Sequence, residues 1–314
     1  MGTALRWVPG DHASGEIRDS NDRLLARYQW ATTWRQPFFH PVYTYAAAEP
    51  LTCYAPFDHP WHRGLWWAWK FINGVVFWED RPGYGEAEGE STVVSHLACE
   101  AIGGRVAIRQ GLEMRPVGSA EVCLRETRLL MAHPEVPAVP GAWAIDWDLT
   151  TTATVRCMLN TTLYPEHTWG GYMGLSFRPN RSMGWGEEIR NSQGGFGQAV
   201  CHGSPARWAS YSGYLDGNSQ GDPANPSRGG LAILDHAGNP RHPTHIYCWS
   251  TGSQNGEFGF LAASLLMREA LVLEAGESLR LRYRTLFFGG SIDTERLDRA
   301  WHDYQLDDTS KFAE

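Results

Sequence analysis

Apolar and polar positions alternate with a period of two through most of this chain, the signature of half-buried strands. In "SLRLRYRTLFF", Leu279, Leu281 and Tyr283 fall on one face and Arg280, Arg282 and Arg284 on the other. The same alternation predicts strands in "STVVSHLACEAI", "RVAIRQGLEM" and "EVCLRETRLLM" between about 92 and 131. It continues in "WAIDWDLTTTATVRCMLNTTLY", "GYMGLSFRP", "GGLAILDH", "HIYCWS" and "FGFLAASLLM". Residues 14–30 predict a hairpin that turns at "DSND". The prolines of "PFFHPVYTYAAA" limit that segment to an edge or irregular strand, because proline donates nothing to a ladder. "GLWWAWKF" is apolar on both faces, as in a strand buried between layers, and Asn73-Gly74 then predicts a tight hairpin. "GYGEAEGES" is expected as a polar loop, and the stretch 180–230 as loop-rich.

Helical spacing is confined to the end of the chain. In "DTERLDRAWHDYQL", Leu297, Trp301 and Tyr304 recur at i, i+4 and i+7, and Asp293 is placed to cap the first turn. The pattern predicts an all-β fold: one large antiparallel β-sandwich over residues 1–314 as a single domain, closed by a short C-terminal helix at about 293–305. The 34 Gly and 18 Pro fit the many turns such a fold needs.

Charge narrows the function. A net charge of −8 with no Lys/Arg block opposes binding to nucleic acid or anionic lipid. No segment is apolar enough to cross a bilayer as a helix, and "MGTALRWVPGDHASGE" has no signal-type apolar run, so a cytoplasmic protein with no membrane partner is expected. The six cysteines lie far apart without a CxxC pair and are expected as reduced, mostly buried thiols. Glycine-rich phosphate loops, HExxH and GxSxG motifs are absent.

What remains is "DHPWHRGLWW" at 58–67, where two histidines and an arginine sit among three tryptophans. Pro60 disfavours a helix there, so the segment reads as an ordered connection entering a buried strand. A single histidine or tryptophan is more often structural than functional. The clustering is what argues for a pocket, because a buried Arg63 requires a partner and tryptophan faces suit a sugar's C–H surface. Asp58, Glu79 and Asp80 are its nearest acidic neighbours in sequence. The expected site has His59 and His62 as acid/base pair with Glu79 as orienting or second acid/base group. His40, Arg63, Trp66, Arg178, Asn239 and His245 are the expected substrate-binding residues. Glu187 and Glu188, adjacent in a loop, read as solvated carboxylates. "LDHAGNPRHPTH" is the second loop expected at the pocket mouth.

The motifs "PFFHPVYT", "DHPWHRGLWWAW", "NGVVFWE", "GYMGLSFRP", "WASYSG", "LAILDHAGNPRHPT" and "GESLRLRYRTLFFGG", in that order, resemble the PmoA-like family of bacterial proteins. The resemblance covers about 30–305. The family takes its name from a methane monooxygenase subunit, whose long apolar helices are absent here, so that activity is not expected. The resemblance implies a β-sandwich related to the galactose-mutarotase-like supersandwich and a place in carbohydrate catabolism. It carries no catalytic assignment. Together these readings predict an enzyme performing acid/base chemistry, by epimerisation, β-elimination or hydrolysis, on a small or oxidised sugar or glycoside. The rivals are a non-catalytic carbohydrate-binding module, which needs the tryptophans but not the histidines, and a sugar enzyme in which the histidine cluster holds a divalent metal ion. No other cofactor is called for.

Overall fold

The structure, a computed structural model, describes residues 4–79, 88–167, 169–217, 227–251 and 258–307. It is an all-β sandwich. One eight-stranded antiparallel sheet runs Leu5–Gly10, Ser14–Asp19, Leu24–Gln29, Phe38–Val42, Leu65–Ala68, Gly174–Phe177, Phe260–Ser264 and His245–Trp249 in spatial order. The second runs Glu188–Asn191, Trp208–Tyr214, Arg228–Asp235, Ser278–Gly289, Trp143–Ala153, Leu124–His133, Arg105–Pro116 and Gly89–Ala101. The inner faces meet in one core: Phe39 packs edge-on to Trp147, Trp67 lies 5.8 Å from Tyr283, and the Tyr28 hydroxyl donates to Gln110 across the layers.

The pleat that builds this core leaves a second set of side chains on each outer face. On the second sheet, Ala144, Ala232, Leu234, Leu286 and Phe288 are covered by Leu297, Ala300, Trp301 and Tyr304 of the C-terminal helix Thr294–Leu306. Asp293 caps that helix, its carboxylate accepting from the Arg296 N–H. Cover by the helix also explains why Arg284 is buried rather than solvated: its guanidinium pairs with Asp146 and lies on the Tyr304 ring.

On the first sheet the outer face carries Phe38, Trp66, Ala68, Tyr247, Trp249, Phe260 and Ala262, all buried. The cover here comes from Trp61, Trp78, Phe258 and Met267, with Trp34, Tyr54, Tyr164 and Tyr172 packed beside them. A small four-stranded sheet, Leu271–Leu273, Cys157–Asn160, Phe71–Ile72 and Val75–Val76, instead adds Ile72, Cys157, Leu159 and Leu273 to the core that holds Phe39 and Trp147. The strand Leu65–Ala68 is therefore buried on both faces, as its composition predicts. Asn73 and Gly74 both have positive φ at the expected hairpin turn.

Of the two forms expected for Phe38–Val42, the structure has the irregular strand: it is interior to the sheet and meets its neighbours through a register shift and only two paired residues on one side. One expectation changes. The stretch read as loop-rich holds the strands Glu188–Asn191 and Trp208–Tyr214 and the helical turn Gln198–Cys201. Small residues in "WASYSGY" blur the apolar period there. The polar run 83–91 lies largely outside the described residues, and Asp80 lies outside them altogether. No helix among the described residues is long and apolar enough to cross a membrane.

Candidate active site

The site begins with two consecutive turns. The His59 N–H bonds to the Pro56 carbonyl and the His62 N–H to the His59 carbonyl, at 3.0 and 2.9 Å. Pro60 takes the second position of the second turn, where its fixed φ is favourable. Three-residue spacing then brings His59 and His62 to one side, with rings stacked 4.8 Å apart at 24°. Gly64 ends the loop with φ +84, and a Cβ there would meet the Phe39 carbonyl oxygen at 2.8 Å. Glycine lets the chain turn directly into Leu65–Ala68.

Beside the turns lies a cavity of about 280 Å³, near the lower end of the roughly 300–1,000 Å³ typical of small-molecule sites. His59, His62 and Glu79 line it together with Trp61, Trp78, Trp169, Tyr172, Tyr247, Phe258 and Phe260. Trp169 stacks on Trp249 at 4.7 Å and is more exposed than the other rings. The Trp78 indole N–H is buried without an acceptor among the described residues.

Each polar group has its own support. Asp58 Oδ2 lies 2.8 Å from His59 Nδ1 and accepts from Arg178 Nη2 at 2.9 Å; its other oxygen accepts from Arg181 at 2.7 Å. Burial alone would raise the Asp58 carboxyl, but the bond to His59 and the Arg178 charge outweigh it and hold it down to about 2. Burial lowers His59, with Asp58 opposing. His62, walled by Trp61, Trp66, Trp78, Phe258 and Phe260, is lowered well below the usual histidine range by burial and then by Arg178. Both imidazoles are thus neutral at neutral pH. Glu79 forms a buried ion pair with Lys70 and accepts from the Tyr172 hydroxyl at 2.9 Å. The Phe71–Val76 hairpin creates that pair, since the Phe77 N–H closes onto the Lys70 carbonyl and brings positions 70 and 79 side by side.

The remaining expected binding residues do not line this cavity. Arg63 is caged by Trp34, Phe38 and Tyr54 and donates to the Tyr54 hydroxyl at 3.2 Å. His40 bonds to Thr52 Oγ1 and stacks on Tyr54. Trp66 stands behind His62, against Trp78 and Phe260. Arg178 also lies behind the histidines, fully buried. Asn239 clamps the backbone of Arg282 and donates to Asp235, which also accepts from His242 and the Thr244 N–H. That loop is tied to the C-terminal helix through the Trp301 indole, so it is not the pocket mouth. His245 starts the strand that carries Tyr247 and does not itself reach the cavity. Glu187 is no solvated carboxylate: it accepts from the Tyr211 hydroxyl and the Thr251 N–H, and burial raises it.

Sequence reasoning missed Lys70, Tyr172, Tyr247 and Phe260. The alternation in "HIYCWS" does place Tyr247 and Trp249 on one face, opposite Ile246 and Cys248, but not which face meets a cavity. Among the described residues no three His, Cys, Asp or Glu side chains converge as a metal site.

The model of the DUF6807 family, described as a family of unknown function, matches residues 18–302. No curated protein matches the chain. Similar solved structures include the polysaccharide lyase BACCELL_00875, at 15% identity over 95% of this chain with a TM-score of 0.32. The chain spans 35% of the length of that lyase. Another is a proposed aldose 1-epimerase from Klebsiella pneumoniae subsp. pneumoniae MGH 78578, at 8% identity over 96% of this chain and 83% of the other, also with a TM-score of 0.32. At these scores neither likeness bears on the chemistry of this chain.

Proposed function

Because the chain belongs to the DUF6807 family, whose function is unknown, we propose its activity from the cavity alone: acid/base catalysis on a small, neutral sugar or glycoside. The observation that carries this reading is the convergence of two histidines and a carboxylate inside an aromatic-walled cavity of about 280 Å³. Aromatic faces suit the C–H surface of a pyranose, and the Trp78 N–H is a donor available to a hydroxyl. His59, backed by Asp58, is the base; the carboxylate orients the ring and stabilises the imidazolium formed on proton uptake. Glu79 holds the Tyr172 hydroxyl toward the ligand. Among the described residues, the charged side chain lining the cavity is this carboxylate, already paired with Lys70, which favours a neutral substrate over a sugar acid. The place in carbohydrate catabolism implied by the PmoA-like resemblance agrees with this reading.

The test is incubation of the full chain in D₂O with a panel of aldoses, keto-sugars and glycosides, followed by proton NMR. Exchange, epimerisation, elimination or hydrolysis is expected for at least one member. His59→Ala should slow it by about 10²- to 10⁴-fold. Parental turnover in that variant would remove His59 from the chemistry. A panel that quenches tryptophan fluorescence but is never transformed would assign the cavity to binding, a reading that the exposed Trp169 ring, stacked on buried Trp249, favours.

A further inference from the structure

We propose that Arg178 is a positioning residue that fixes His62 in the neutral tautomer opposite to the one Asp58 imposes on His59, so that the cavity meets one imidazole lone pair and one imidazole N–H. Arg178 follows the strand Gly174–Phe177, and its backbone N–H bonds to the Gly64 carbonyl where the histidine loop ends. Its side chain has no solvent exposure, and its guanidinium lies 4.4 Å from the Phe258 ring centroid. From there it reaches His62 directly and His59 by way of Asp58. Nη2 donates to Asp58 Oδ2 at 2.9 Å, the same oxygen that His59 Nδ1 approaches at 2.8 Å. Nη1 lies 3.5 Å from His62 Nδ1, a long contact.

The tautomers follow from what each partner can do. An ionised carboxylate only accepts, so His59 carries its proton on Nδ1 and keeps the Nε2 lone pair. A guanidinium only donates, so His62 Nδ1 is the acceptor and its proton sits on Nε2. Arg181 on the second Asp58 oxygen prevents the carboxylate from turning away. Burial and the Arg178 charge both oppose a second proton on His62.

This divides the chemistry of the pair, and that use of it rests on the functional reading above. His59 Nε2 takes a proton from a substrate C–H or O–H; that bond breaks, an N–H bond forms, and the electron pair stays on the substrate. His62 Nε2–H donates a hydrogen bond to the oxygen on which the negative charge gathers, and keeps its own proton. No further reactant is needed.

The test is two-bond ¹H–¹⁵N NMR of the histidine rings in the ¹⁵N-labelled full chain near neutral pH, assigned with His59→Gln and His62→Gln. The expected parent spectrum has His59 as the Nδ1–H and His62 as the Nε2–H tautomer. Arg178→Met should turn His62 into a mixture while Asp58 keeps His59 unchanged. Should that variant not fold, Arg178→Lys is read the same way, since a single ammonium is drawn to Asp58 and leaves His62 Nδ1 without a donor. A parent His62 that is protonated on Nδ1 overturns the proposal, as does an unchanged His62 spectrum in a folded Arg178 variant. Predicted tautomers without any sugar turnover would overturn the functional reading and leave this one standing.

Discussion

Trp66 and Trp67 are adjacent and identical in side chain, yet they do different things, because the strand pleat sends them to opposite faces. Trp67 enters the core between the sheets, and Trp66 backs His62 beneath the cavity without lining it. Trp66→Ala should therefore act on stability, by about 3–5 kcal/mol in chemical denaturation, as expected for a large buried ring. A variant with the parental unfolding midpoint but weakened ligand binding would put Trp66 in the binding wall instead. Arg63 makes the same point about charge. Its burial does require partners, and the structure supplies an aromatic cage and the Tyr54 hydroxyl beside the cavity rather than within it.

At the scale of elements, the C-terminal helix is the part whose position and contacts agree most closely with its pattern. Its N-cap is the expected Asp293, and its apolar stripe meets the outer face of the second sheet. Asp293→Ala removes the bond to the Arg296 N–H and should cost about 0.5–2 kcal/mol, read as a lower thermal unfolding midpoint. An unchanged midpoint would mean that packing of Leu297, Trp301 and Tyr304 alone sets the helix. The 56–62 turns work differently. They bury Pro56, Trp61 and His62, and their three-residue spacing sets the distance between the two histidines.

For the whole molecule, the buried histidines set the response to acid. Burial brings His40 and His236 down to about 4, and lowers His59 and His62 as well. The unfolded chain takes up protons at these positions below about pH 6.5 while the folded chain does not, so unfolding gains protons and stability falls with pH. The loss should begin below about 6.5 and run to about 4, before Asp58, held down to about 2, loses its contribution below the usual carboxylate range. Urea midpoints should already drop between about pH 7 and about pH 4.5; a flat profile there would mean that these histidines take up protons without unfolding.

Local pattern carried much of this protein. Period-two alternation, the Asn73-Gly74 turn, the doubly apolar "GLWWAWKF" and the Asp293-capped stripe identify strands, a hairpin, a three-layer position and a helix, because each depends on residues within a few positions of one another. The same holds for the nearness of His59 and His62, which their own turns impose. Partnership across the fold was not legible. That Arg178, rather than Asn239 or His245, reaches the histidines depends on Gly174–Phe177 pairing with Leu65–Ala68, more than a hundred residues away. That Tyr172, Tyr247 and Phe260 close the cavity depends on which strands neighbour each other and which outer face is covered, whereas the Lys70–Glu79 pair follows from the local hairpin between them. Alternation states that two faces differ; only what packs over an outer face in the folded chain decides which face becomes a site.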